Sequence, residues 1–297
     1  MKNSWTRGLI VFAVCAGMSA GVVAPGARAG AKVLSALAAV PAGDDAAVAQ
    51  TDQALMSAVT KGEKAAANKL LDANFDWTDV DGKTTTGSHG LPEVPKLLAT
   101  GGSAQVTTHT YGELATVRVD DGLTHVLRVW AKRPTGWKLM VYQEVRSLAA
   151  PPTTTPGPGQ DCQNPCRDVL YQPKNEIERG VITSYMGLET ASVAHDAPNW
   201  GPHVAEEFVA ASSYSNKLLK KEERMAELAK SQMSGLAPTP VVTMKLTDFG
   251  DTVLMQSKQQ PDKGKPLHIT RVWTKRDGKW VIVLAFQTAI QSEPAKS

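Results

Sequence analysis

The chain has 297 residues, 42% of them hydrophobic and 21% charged, with 32 lysines and arginines against 29 aspartates and glutamates for a net charge of +3. This is a globular composition with enough length for more than one domain. Scattered, nearly balanced charges argue against a nucleic-acid partner, and three cysteines and six histidines without ligand spacing argue against bound zinc, haem or another cofactor.

Lys2 and Arg7 lead into a charge-free apolar run from Leu9 to Val23, and Ala27-Arg28-Ala29 offers the small residues a signal peptidase needs. The run is too short for a comfortable membrane span. Residues 1–29 are therefore predicted to be an export signal, with the mature chain starting near Gly30 in the periplasm or outside the cell and free of the membrane. The competing reading, a lipid anchor on Cys15, suffers from the poor approach Phe12-Ala13-Val14. Residues 30–43 read as a loose N-terminus.

Residues 44–148 read as a first domain. Helices are predicted over Val48 to Val59 and Glu63 to Leu71, then a strand at Phe75 to Thr78, a turn at Asp81-Gly82 and a helix near Leu91 to Leu98. Strands follow near Gln105 to Thr110, Glu113 to Val119, Thr124 to Lys132 and Trp137 to Val145. Residues 149–175 carry six prolines and three consecutive threonines and read as a semi-extended linker. Within it, Cys162 and Cys166 are expected to form a local disulfide, since export favours oxidation; a redox-active pair is the weaker reading of this C-x-x-x-C spacing.

Residues 176–292 read as a second domain. Asn175 caps a helix whose Ile177, Val181, Tyr185 and Leu188 share one face. A second helix is predicted from Pro198 to Glu207, then a strand at Phe208 to Ala210 and a charged helix from Lys220 to Lys230. Strands at Val241 to Leu246, Thr252 to Ser257, His268 to Lys275 and Trp280 to Gln287 complete it, the last two joined by Asp277-Gly278.

The two halves repeat one another. His125, Arg128, Val129, Trp130, Lys132, Arg133 and Trp137 return as His268, Arg271, Val272, Trp273, Lys275, Arg276 and Trp280, all at an offset of 143 residues. Two tandem α+β domains are predicted, each cone-shaped, with N-terminal helices packed in a curved antiparallel sheet.

The order helix, helix, strand, helix, meander, ending in Thr270-Arg271-Val272-Trp273, Lys275-Arg276-Asp277-Gly278, Trp280 and Phe286-Gln287-Thr288, resembles the nuclear transport factor 2-like superfamily, in its SnoaL-like branch. That resemblance implies a cone holding a pocket, and it spans ketosteroid isomerases, dehydratases and cyclases as well as domains that only bind or dimerise. It also implies pairing through the outer sheet face, so the two copies are expected to form an intramolecular pseudo-dimer.

The isomerase-like members use a carboxylate base with oxyanion donors. Only the first copy offers candidates: Asp76 as base, with Tyr142, Arg128 or Gln143 as donors. Asp76 has Val209 or Ala210 as counterpart, and Tyr142 has Phe286. Arg128 and Trp130, like Arg271 and Trp273, share a strand face and read either as an anion anchor with an aromatic pocket wall or as stacked packing residues. Gln143 and Gln287 are further pocket candidates, and a one-residue difference in spacing either is absorbed by a β-bulge or turns them to opposite faces. The reading that results is an exported tandem-domain protein binding a small, largely apolar ligand or serving as an interaction module, without demonstrable catalysis. Its alternative is an isomerase, dehydratase or cyclase in the first domain, and a third reading has both cones filled by side chains.

Overall fold

In a computed structural model, residues 42–86, 104–149, 161–230, 239–261 and 264–294 are described. The expected signal peptide, residues 30–41 and the helix near Leu91 to Leu98 lie outside the described residues. The first domain begins with α1 (Ala42–Thr60) and α2 (Lys64–Lys69), so α1 takes in the last two residues of the expected loose N-terminus. Strands β1 (Leu71–Thr78), β2 (Thr84–Thr86), β3 (Gln105–Tyr111), β4 (Leu114–Asp121), β5 (Thr124–Arg133) and β6 (Gly136–Arg146) follow. The second domain repeats this with α3 (Glu176–Val193), α4 (Ala197–Trp200) and a 3-10 turn (Gly201–His203). Then come β7 (Val204–Ser212), β8 (Leu219–Lys220), α5 (Lys221–Lys230), β9 (Val241–Asp248), β10 (Thr252–Gln259), β11 (Leu267–Arg276) and β12 (Lys279–Ala289). None of the helices among the described residues is long and apolar enough to cross a membrane.

The strand orders are β2-β1-β6-β5-β4-β3 and β8-β7-β12-β11-β10-β9, the same order twice. The sheets are mixed, not antiparallel as expected. Three hairpins make β3 to β6 a meander, but β1 joins the free edge of β6 in parallel, and β7 joins β12 likewise. Asp277 and Gly278 both have positive φ, 49° and 77°, which is what a two-residue hairpin turn matched to strand twist requires. The expected helix from Pro198 to Glu207 stops early, because the chain is extended from Val204 onward and Phe208 follows with strand periodicity.

Alternation along the strands divides each sheet into an inner and an outer face. In the first domain Phe75, Val126, Trp130, Leu139 and Tyr142 face inward and pack with Val48, Leu55 and Val59 of α1. In the second, Phe208, Met255, Trp273 and Ile282 pack with Val181, Tyr185 and Leu188 of α3. The outer faces contribute a third cluster in which Leu127, Val129 and Val141 pack with Val272, Leu284 and Phe286. Burial of such side chains stabilises by roughly 1.5–3 kcal/mol each. Polar contacts lie along the same boundary: Gln291 N donates to Asp81 O at 2.8 Å, and Leu148 N to Ser213 O at 2.9 Å.

Part of the expected linker packs on the second domain. Val169 is buried in that domain's core, and the Asn164 side chain pairs with the backbone of Val241 through two bonds of 2.9 and 3.0 Å. Cys162 and Cys166 are joined by a disulfide with Cα atoms 5.5 Å apart.

A candidate ligand cavity

Strand register decides which expected site residues meet. Trp77, not Asp76, lies beside Tyr142 in the parallel pair β1 and β6, while Asp76 lies beside Val141. Trp77 and Tyr142 point into the first cone and meet edge to face with ring centroids 6.0 Å apart. Asp76, one residue away, faces outward. Its Oδ2 accepts from Gln256 Nε2 at 3.2 Å and from Lys245 Nζ at 3.5 Å, both in the second domain. The expected pairing of Asp76 with Tyr142 is thus corrected: period-two alternation puts them on opposite faces. The Tyr142 hydroxyl donates to Glu144 Oε1 at 3.1 Å, and burial together with the Glu144 charge pushes its ionisation well above the ordinary tyrosine range.

Arg128 and Trp130 do reach the first cone, where Arg128 Nε and Nη2 and Trp130 Nε1 are engaged while Arg128 Nη1 is buried without a partner among the described residues. The Asp52 carboxylate on α1 accepts from Arg128 Nε and Nη2 at 2.6 and 2.8 Å, and from Trp130 Nε1 at 3.2 Å. The ion pair is buried, and it holds the helix against the sheet. Asp52 was not singled out from the sequence. Its signal is an acid on the otherwise apolar face formed by Val48, Leu55 and Val59.

Gln143 does not line a pocket. It faces the second domain, where its Nε2 lies 3.2 Å from the carbonyls of His268 and Phe286 and 2.9 Å from Thr288 Oγ1. Both final strands shift register at the same point, between Val129 and Trp130 and between Val272 and Trp273, so both carry the bulge. The structural counterpart of Tyr142 is therefore Ala285, since these stand opposite Arg128 and Arg271, respectively. By the same register Phe286 matches Gln143, and Gln287 matches Glu144. The two glutamines point to opposite faces, because they are not equivalent residues.

That register also explains where a cavity opens. Trp77 lies beside Tyr142 in the first domain, and Ala210 beside Ala285 in the second. Two aromatic side chains in one cone are two methyl groups in the other. A cavity of about 320 Å³ lies there, with Ala210, Ala285, Phe208, Trp200, Ile269 and Ile282 among its apolar walls. Its polar walls include Glu189, Arg224, Gln259, Arg271 and Gln287. A wider trough of about 840 Å³ between α1 and α2 is lined by Ser57, Ala58, Lys64 and neighbours, but it lies on the outside of the helices, away from both cones.

In the second cone Tyr185 takes the place that Asp52 holds in the first, as the spacings Val48–Asp52–Leu55 and Val181–Tyr185–Leu188 match. The Arg271 guanidinium stacks 5.0 Å from the Tyr185 ring, and the carboxylate it needs comes from one turn later, with Nη2 donating to Glu189 Oε1 at 3.2 Å. Its Nη1 reaches Ser257 Oγ at 3.4 Å. Trp273 stands behind Tyr185, edge to face at 6.4 Å, and is core, not the pocket wall expected. Gln259 Nε2 donates to the Tyr185 hydroxyl at 2.7 Å. Burial pushes the Glu189 carboxyl upward, while Arg271 and Arg224 pull it down less strongly.

Ser184 and His203 are 2.9 Å apart, but the serine hydroxyl donates to the Trp280 carbonyl at 2.7 Å. With that proton committed, the imidazole nitrogen is the donor between them and the serine is not activated as a nucleophile. Among the described residues no three His, Cys, Asp or Glu side chains cluster to hold a metal.

Two helices-first α+β domains with mixed six-stranded sheets in one shared strand order define a tandem α+β protein, the arrangement that the resemblance to the nuclear transport factor 2-like superfamily implies. Similar solved structures include an NTF2-like protein from Cytophaga hutchinsonii, 19% identical, covering 39% of this chain and 99% of its own, with a TM-score of 0.35. A protein of unknown function with a cystatin-like fold from Nostoc punctiforme is 15% identical over 41% of this chain and 98% of its own, with a TM-score of 0.34. An NTF2-like protein of unknown function from Silicibacter pomeroyi is 14% identical over 40% of this chain and 99% of its own, with a TM-score of 0.33. No protein-family model and no curated protein matches the sequence.

Proposed function

We propose that this is an exported protein that binds a small, largely apolar molecule in the cone of its second domain, with the first domain serving as its built-in partner. The observation that carries the reading is the exchange of Trp77 and Tyr142 for Ala210 and Ala285, which leaves a cavity in one copy of an otherwise repeated core. A concave, mainly apolar space with a few convergent polar groups is the usual form of a small-molecule site. The pairing of the outer sheet faces is read as an internal substitute for a dimer contact, supported by the shared apolar cluster and the Gln143 bonds. The placement of Asp76 and the Arg128–Tyr142 face on opposite sides of the sheet supports the binding reading over an isomerase that uses Asp76 with Tyr142.

Native mass spectrometry of the mature protein purified from its producing cells tests this. The expected result is a retained small molecule that is missing from Ala285→Tyr, in which the first domain's side chain refills the cavity. Retention by Ala285→Tyr, or an empty parent that also takes up no molecule from a cell extract, overturns the reading.

A further inference from the structure

We infer that the molecule received by the second cone is a small amphipathic monoanion, a carboxylate on an aromatic or short aliphatic body, held between Arg224 and Arg271. The inference rests on the cavity reading above and adds the charge of the occupant. Its basis is the way charge differs between the two copies. Among the described residues the first cone contains Asp52 and Glu144 with Arg128, so acids outnumber the base there. At the matching positions the second cone has Tyr185, Gln287 and Arg271. Both positions are neutral there and the arginine is kept, while Glu189 supplies a negative charge and Arg224 a positive one, the latter from α5, whose counterpart in the first domain lies outside the described residues. The described wall of the second cone therefore carries Arg224 and Arg271 against Glu189, a net positive charge.

The donors are also differently engaged. Arg128 gives two short bonds to one carboxylate through Nε and Nη2, while its Nη1 is buried without a partner among the described residues. Arg271 gives one nitrogen to Glu189 at 3.2 Å and a longer contact to Ser257, which leaves part of its five-donor fork without a bond. Arg224 meets Glu227 at 3.4 Å, but Glu227 stands at 45% exposure outside the cavity wall, where an ion pair contributes little. A carboxylate between the two guanidiniums gains charge-assisted bonds in a half-enclosed space. The size follows from the volume: about 320 Å³ corresponds to roughly ten water molecules at about 30 Å³ each, and so to a compact ring or short chain.

The test is calorimetric titration of the full mature chain with benzoate, phenylacetate and octanoate, and with the three corresponding neutral amides. Carboxylates are expected to bind at least about tenfold more tightly than amides, Arg224→Gln to weaken them by roughly tenfold or more, and Glu189→Gln to tighten them. Ala285→Tyr should remove binding of both classes. Amides that bind as well as the acids, or affinities unmoved by Arg224→Gln and Glu189→Gln, would overturn the charge assignment and leave the cavity reading standing. If neither class binds, or if binding persists in Ala285→Tyr, the cavity reading falls and the charge assignment with it.

Discussion

His268 sets a pH limit on the contact between the domains. It lies on the outer face of β11, across from Thr288 on β12 and Lys258 on β10. Its carbonyl receives Gln143, and its Nε2 has no hydrogen-bond partner among the described residues. Burial lowers its pKa from 6.5 to about 4, with Asp76 on β1 pulling the other way. A histidine held neutral in the fold gives up its proton more readily than the unfolded one, so unfolding takes up protons below pH 6.5. The stabilisation is complete above about 6.5 and is lost progressively as the pH falls towards 4. At about 1.4 kcal/mol per pH unit, that interval amounts to about 3 kcal/mol. Urea unfolding of the parent and of His268→Gln at a series of pH values isolates this contribution, because the many carboxylates titrate alike in both. The difference between the two stability curves should change by about 3 kcal/mol between pH 7 and pH 4. Parallel curves, or a His268 proton resonance titrating near 6.5, would refute the argument.

Trp77→Ala should destabilise the first domain by roughly 3–5 kcal/mol, the range for emptying a large aromatic site, as read by chemical denaturation; a loss below about 1 kcal/mol would mean that the first cone is loosely filled. Gly82→Ala combines a φ of +76° with a new Cβ only 2.7 Å from the Ile290 backbone of the second domain. It should cost more than the 1–2 kcal/mol of the backbone conformation alone, and thermal melts that match the parent would dismiss that contact. Replacing Cys162 and Cys166 by serine opens a very short loop, so about 2 kcal/mol or less should be lost and the domain should stay folded, as circular dichroism and a melting curve would report.

The tandem architecture was legible because a hairpin carrying two tryptophans and an arginine is repeated at one spacing, and because β-rich runs alternate visibly between faces. The parallel insertion of β1 and β7 was not, since hydrophobic alternation records which face a residue takes and not which strand lies beside it. The same gap misplaced the site. Asp76 sits between Phe75 and Trp77, two inward aromatics, and alternation alone already turns it outward; a preference for a carboxylate base overrode that pattern. Gln143 and Gln287 look equivalent as letters, but the common bulge at Met140 and Val283 makes Glu144 the true match of Gln287. Arg128 and Arg271 were found by repetition, whereas their acid partners were not, because Asp52 and Glu189 stand at different turns of their helices.

Alanine in place of two aromatic side chains is a large difference between the cores of the two copies. Core space left unfilled costs stability in proportion to its volume. Two features reduce that cost. Gln259, Gln287, Arg224 and Arg271 in the wall make the space hospitable to water, which an apolar void is not. The filled first cone meanwhile supports the shared outer cluster, so the second sheet is held on the face that the cavity does not touch. An occupant that excludes water from Phe208, Ile269 and Ile282 recovers part of the remaining deficit and binds the folded state alone, so stability must rise with its concentration. On the proposed function the copies divide the labour: the one whose described core is filled lends rigidity, and the one whose core is left open is finished by the molecule proposed to bind there.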